Sequence, residues 1–168
     1  MSPFSFPFNQ LVKRVVDPDG VTGTAAIDQT FYLYDQGQIV LEFNKSGSGG
    51  VAAGDLAHRY LWGPAVDQLL ADEQVDSLSM GGDTLWALTD HLGSVRDVVD
   101  SAGTLRIHKR YDSFGNVVDQ THYNAGGNVV TSGTGYVDVA FAFTGRFFDK
   151  TTGLQNNLHR WYDPKIGR

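Results

Sequence analysis

No cysteine occurs in the 168 residues, which removes disulfides, thiolate nucleophiles and cysteine-bound metals from consideration. Charge is scarce as well: charged residues are 19% of the chain, and the net charge of −6 leaves no surplus of cations for a phosphate backbone. The nearest thing to a basic cluster is Arg106, His108, Lys109 and Arg110. On a strand, Arg106, His108 and Arg110 share one face while Leu105, Ile107 and Tyr111 occupy the other, which reads as a solvated strand face and excludes nucleic acid as the expected partner. Long apolar runs are missing, and nothing approaches the roughly 18 residues of a membrane span. The opening Met1-Ser2-Pro3-Phe4-Ser5-Phe6-Pro7-Phe8 has neither the positive start nor the unbroken apolar core of a signal peptide. The five histidines, His58, His91, His108, His122 and His159, offer no pair at metal-ligand spacing on a helix. No Asp-rich turn fits the calcium-loop pattern, and no Gly cluster opens a phosphate-binding helix. Neither cofactor nor metal is expected.

What the chain does have is 20 Gly together with 3 Trp, 7 Tyr and 10 Phe, a composition suited to short strands joined by tight turns. Asp90-His91-Leu92-Gly93 is followed by Asp100-Ser101-Ala102-Gly103 and then by Asp112-Ser113-Phe114-Gly115. Asp at the first turn position accepts backbone hydrogen bonds, and Gly at the fourth takes the positive φ that other residues resist. Corners this close together leave room for strands and little else. An all-β fold of consecutive antiparallel hairpins is therefore expected, as a twisted sheet or partial shell with little helix.

Along the chain, Leu11 to Val16 reads as a strand ending at Asp17-Pro18-Asp19-Gly20. Phe31 to Tyr34 and Gln38 to Phe43 flank the turn Asp35-Gln36-Gly37, with Ile39, Leu41 and Phe43 assigned to one face. Residues 45–54, rich in Gly and Ser, read as a flexible link. Pro64 to Met80 is ambiguous between strand and short helix; the sheet-like surroundings favour a strand from Val66 to Asp72. Val95 to Val99 and Thr104 to Tyr111 are clear strands. Val137, Val139, Phe141 and Phe143 fall on one face of another, after an exposed loop from Gly126 to Gly135. Three regions result: an N-terminal extension, 1–27; a hairpin and linker, 28–55; and a core region, 56–168.

Leu85-Trp86-Ala87-Leu88-Thr89-Asp90-His91-Leu92-Gly93-Ser94-Val95-Arg96 closely resembles the core signature of Rhs/YD-repeat proteins. The Asp100 to Gly103 turn, Tyr111-Asp112-Ser113-Phe114-Gly115, Phe143-Thr144-Gly145-Arg146, Thr152-Gly153-Leu154, and Tyr162-Asp163-Pro164 with Gly167-Arg168 extend the likeness. Tyr34-Asp35-Gln36-Gly37 is similar to a degenerate YD repeat. The resemblance implies β-hairpins wound into a hollow shell that encloses a variable C-terminal segment, often a toxin, in a secreted or surface protein. It also implies self-cleavage by paired Asp-Pro-x-Gly motifs, which are absent from these residues; Asp163-Pro164-Lys165-Ile166-Gly167 has one residue too many. The expectation is a non-enzymatic piece or remnant of such a shell, partnered by the rest of an Rhs-type polypeptide or by itself through sheet edges.

Two sharper readings compete with this. Asp90, His91 and Ser94 invite a catalytic triad, but a triad is defined by spatial roles, and Asp90 is better used by its turn. Trp62, Trp86, Trp161, Tyr60, Tyr111 and Tyr162 invite a glycan-binding surface, although strand aromatics more often pack against each other.

Overall fold

The computed structural model describes residues 10–20, 23–158 and 160–168. Ten strands lie side by side in one antiparallel sheet in the order of the chain. They are β1 (Lys13–Val16), β2 (Asp28–Asp35), β3 (Gln38–Ser46), β4 (Leu56–Trp62), β5 (Leu69–Gln74), β6 (Asp83–Thr89), β7 (Val95–Val99), β8 (Leu105–Tyr111), β9 (Val117–Tyr123) and β10 (Val129–Val130). A small second sheet follows, made of β11 (Phe148–Asp149), β12 (Leu154–Asn157) and β13 (Arg160–Tyr162). Among the described residues the only helical turns are Ala53–Asp55 and Phe143–Gly145. The all-β expectation holds.

One turn chemistry closes the hairpins from β6 to β10. Asp90 Oδ1 accepts from the amides of Leu92 and Ser94, Asp100 Oδ1 from Ala102 and Thr104, and Asp112 Oδ1 from Phe114 and Asn116, all at 2.8 to 3.0 Å. The glycine amide then donates to the carbonyl of the first residue, and Gly93, Gly103 and Gly115 take φ of 79°, 80° and 86°. Asn124 repeats the pattern towards Gly126 and Asn128. A pattern keyed on aspartate passes it over, yet an amide oxygen accepts as a carboxylate does.

Several local readings are corrected. A bulge opposite Leu33 and Tyr34 pairs Tyr34 with Ile39 and Leu33 with Leu41, so Ile39 faces the core and Leu41 and Phe43 face away. The Gly/Ser stretch is a hairpin loop, because β3 and β4 pair across it. The strand placed at Val66 starts only at Leu69; Asp67 is held at φ 56° in the preceding turn. Arg106 is buried rather than solvated, spanning to the carbonyls of Tyr123 and Gly135. Residues 137–139 join no strand, and Ala140 lies in a bend. The opening Phe/Pro run lies outside the described residues.

One face of the large sheet carries the core: Tyr32, Ile39, Tyr60, Leu69, Leu85, Val95, Val98 and Ile107. Val139, Phe141 and Phe147 cover it from the stretch after β10. The other face stays open, with ionic pairs such as Arg59–Glu73 at 2.9 Å.

Candidate functional site: a polar sheet face and the segment that crosses it

The alternation of Val137, Val139 and Phe141 is real, but it serves a segment that runs from β9 back to β4 across the covered face. Apart from one isolated antiparallel bridge between Phe141 and Phe147, such a segment has no ladder partner for its backbone among the described residues, and a buried carbonyl without a donor is costly. Side chains of the sheet supply the donors. His122 Nδ1 donates to Val137 O at 2.8 Å, Gln74 Nε2 to Asp138 O at 3.2 Å, and Lys109 Nζ to both Val139 O and Phe141 O at 3.3 Å. The amides of Phe148 and Val95 serve Ala140 O and Ala142 O. Every carbonyl from Val137 to Ala142 is thereby satisfied. The Phe141 ring meets Tyr60 and Trp62 edge-on at 4.9 and 5.0 Å, and Phe147 meets Tyr32 at 5.4 Å.

Beneath the segment the sheet face is unusually polar. Tyr60 donates to Glu42 at 2.8 Å, and His58 Nδ1 meets Asp72 Oδ1 at 2.7 Å. Asp72 Oδ2 is buried and finds no hydrogen-bond partner among the described residues. Burial raises the Asp72 carboxyl above its ordinary value despite His58. Burial works against the His58 cation too, but the hydrogen bond and charge of Asp72 outweigh it and raise that pKa. Burial lowers the Lys109 ammonium to about 8. Lys109 belongs to the basic cluster that reads as solvated, yet it is only 2% exposed; the signal that could have found it is that it shares a strand face with Ile107 and Tyr111. Gln74, His122 and the His58–Asp72 pair carried no comparable signal.

The signature residues serve the same junction. Ser94 is fully buried, and its Oγ accepts the Thr144 amide at 3.0 Å. Arg96 donates to Lys109 O at 3.1 Å and lies 5.9 Å from the Tyr111 ring centre, while Tyr111 Oη donates to Val95 O at 2.8 Å. Gly115 lies so close to Phe143 that a Cβ would come within 2.4 Å of its ring. At Gly145 a Cβ would come within 2.0 Å of Asp67 O, and Arg146 pairs with Asp67 at 2.7 Å. Further on, Gly153 N donates to Asp149 O at 2.7 Å with φ 72°, and Tyr162 Oη donates to Phe114 O at 2.9 Å. The amides of Gly167 and Arg168 fold back onto Asp163 O around a buried Pro164.

Catalytic readings find no geometry. Asp90 is engaged by its turn, Ser94 is an acceptor inside the core, and His91 is exposed. Asp149 pairs with Leu154, and Gln155 with Tyr162. Asp149 Oδ1 accepts from the Thr151 amide at 3.0 Å and Asp163 Oδ1 from the Lys165 amide at 2.9 Å, so each carboxylate is engaged by its own turn. The Asp149 carboxylate instead meets Arg14 at 3.0 Å. Of the aromatics, Tyr60, Trp62, Tyr111 and Tyr162 spend their polar atoms inside the protein; Trp86 and Trp161 remain half-exposed. Among the described residues no three His, Asp or Glu side chains converge as a metal site would require, and no helix is long and apolar enough to cross a membrane.

The teneurin YD-shell family model matches residues 66–168. Double-stranded DNA deaminase toxin A of Burkholderia cenocepacia (strain H111) is 31% identical over 101 residues, 60% of this chain and 6% of that protein. Among solved structures, TcdB2-TccC3-TEV superimposes with a TM-score of 0.55 at 16% identity, covering 93% of this chain and 8% of the other. TcdB2-TccC3 without its hypervariable C-terminal region gives 0.54 at 17% identity, covering 91% and 8%. The chain thus spans less than a tenth of the length of these relatives, and the solved structures share its fold. With well over half of its residues inside the family match, and its signature turns and crossing segment built into one sheet, the chain belongs to the Rhs/YD-repeat family of YD-shell proteins.

Proposed function

We propose that this chain is a non-enzymatic wall segment of a toxin-associated YD shell, with residues 56–168 as its core region and the rest of a longer polypeptide as its partner. The observation that carries this reading is that His122, Gln74 and Lys109 of the polar sheet face, with two backbone amides, satisfy every carbonyl of the chain's own crossing segment from Val137 to Ala142. Groups that might otherwise do chemistry are consumed in holding a wall together. The match to a deaminase toxin supports the toxin association, and because it covers 6% of that protein it gives no support for deamination by this chain. A wall of this kind belongs in a secreted or surface assembly.

Two measurements test the reading. The purified chain is incubated with double-stranded DNA, and separately for days at mildly acidic and neutral pH. Sequencing should find no converted bases, and intact-mass spectrometry should find the chain whole at 18.4 kDa. Base conversion, or a defined internal cut lost on Asp149→Asn or Asp163→Asn, would overturn the non-enzymatic role. The coding DNA on either side should specify further hairpin repeats. Its failure to do so, together with a saturable ligand on a glycan array, would favour the binding-module alternative.

A further inference from the structure

Among the described residues only four that are not glycine take a positive φ: Gln36 at 48°, Asp67 at 56°, Thr144 at 54° and Leu158 at 61°. They sit in four different turns, those of β2–β3, β4–β5, Phe143–Gly145 and β12–β13. The backbone alone favours glycine at such positions, and every other positive φ described does fall on glycine. A bulky leucine is the least expected of all. The four turns meet around one cavity of about 620 Å³, lined by Gln36, Asp67 and Leu158 themselves and by Gly145 beside Thr144. Gln36 is exposed and Leu158 is half-exposed, so the cavity opens to solvent. Strained backbone on every side of one cavity marks side chains kept for a ligand rather than for the turns.

The lining says what kind of ligand fits. Leu11, Tyr34, Ile39, Phe141, Phe147 and Leu158 make it largely apolar, and Ile39, Phe141 and Phe147 are fixed in the core. Its polar part is rich in carboxamides. Those of Gln10, Gln36 and Asn156 bond to no other described residue, whereas Gln38 and Arg146 are held by the Asp67 carboxylate at 3.2 and 2.7 Å. Asp67 and Arg146 are the only charges among the described lining residues and neutralise each other, so nothing there offsets the lost hydration of a charged ligand. A carboxamide both donates and accepts, as a peptide group does. Three spare carboxamides beside an apolar surface match a peptide backbone with one apolar side chain. They match a sugar poorly, because its hydroxyls would face hydrocarbon on most sides. We propose that this cavity is a binding site for an extended, uncharged stretch of another polypeptide. One phenylalanine-sized side chain seats against Phe141 and Phe147, and the flanking peptide groups bond to the amides of Gln10, Gln36 and Asn156. The site stands apart from the wall reading, since it serves whether or not further hairpins adjoin.

The isotope-labelled full chain is titrated with acetyl-Ala-Phe-Ala-amide, acetyl-Ala-Asp-Ala-amide, acetyl-Ala-Ala-Ala-amide and maltose, and the backbone amide NMR shifts are followed. The phenylalanine peptide should give saturable shifts at Gln36, Gly145 and Leu158 and bind at least about tenfold more tightly than the other two peptides, as burial of one aromatic side chain requires. Gln36→Gly and Leu158→Gly are then tested singly. Glycine relieves the positive φ, so both variants should keep the fold and a stability close to the parent's in urea, yet each should bind the phenylalanine peptide at least about fivefold more weakly. Should a variant unfold, the parent's preference among the probes and the map of its shifts decide alone. No saturable peptide binding, equal binding of the three peptides, saturation by maltose only, shifts confined to residues away from the cavity, or binding untouched by both variants would overturn the proposal.

Discussion

Replacing Lys109 with Met keeps most of the side-chain volume and removes the two hydrogen bonds that hold the crossing segment. Two carbonyls, Val139 O and Phe141 O, are left without their donor at ~1–3 kcal/mol each. At neutral pH this loss is offset, because the variant also escapes the cost of burying an ammonium. A fall from 10.5 to about 8 puts that cost at about 3 kcal/mol, and the 2% exposure of Lys109 leaves little solvent to screen it. The informative quantity is therefore the pH dependence. A folded-state pKa below the unfolded one means that, as pH rises through about 8, the folded chain gives up a proton that the unfolded chain still holds, and stability rises. The neutral amine keeps two N–H donors for two carbonyls, so the clamp survives deprotonation. Between pH 8 and 10 the parent should gain about 2 kcal/mol relative to Lys109→Met. Above that range the unfolded tyrosines begin to ionise and take stability from both proteins. Urea titrations at several pH values, followed by tryptophan fluorescence with Trp62 beside Phe141, give the comparison. Parallel pH profiles for the two proteins would refute the clamp.

Other consequences are open to the same unfolding assay. Gly115→Val should cost several kcal/mol more than Gly103→Val, since both strain a positive φ but only Gly115 lies against a ring; a Cβ at Gly103 meets nothing within 4 Å. Asp112→Asn should cost under about 1 kcal/mol, because Asn124 already does the same work in its own turn, whereas Asp112→Ala should cost ~1–2 kcal/mol by orphaning two amides. Asp72 and His58 both have raised folded-state pKa values, so their contributions are complete below 3.8 and 6.5 and are lost as pH rises through the folded values. The pair's own contribution should thus decline from acid towards neutral pH, opposite in sign to that of Asp55, Glu73 and Asp100, whose backbone hydrogen bonds lower their pKa values; Asp72→Asn should remove the pair's part of the pH profile, and a profile identical to the parent's would count against the buried pair.

The hairpins were legible because their determinants are local. An Asp acceptor, a Gly with positive φ and a two-residue alternation are all contained within about a dozen positions. The crossing segment was not legible in the same way. Val137, Val139 and Phe141 alternate just as a ladder strand would, and only the missing neighbour distinguishes them, which is a tertiary fact. The face at Ile39 was misjudged because one bulged residue reverses an alternation without changing composition. Arg106 appeared solvated because its carbonyl partners, Tyr123 and Gly135, lie 17 and 29 residues away. Of the site, the sequence displayed the turn residues and the resemblance, but not that Ser94 and Thr144, 50 residues apart, meet in the core.

The absence of cysteine makes one measurement especially direct. Val139→Cys places the chain's single thiol within the crossing segment at a position only 2% exposed, and Ala102→Cys places one on an exposed turn. If the segment is clamped over the polar sheet face, the thiol at 139 should react with a thiol reagent at least about a hundredfold more slowly than the thiol at 102, equivalent to about 2.8 kcal/mol for opening. Adding Lys109→Met near pH 10, where that change is most costly, should accelerate its labelling. Equal labelling rates at the two positions in the folded chain would contradict the clamp, and with it the reading of this sheet face as a closed, structural wall.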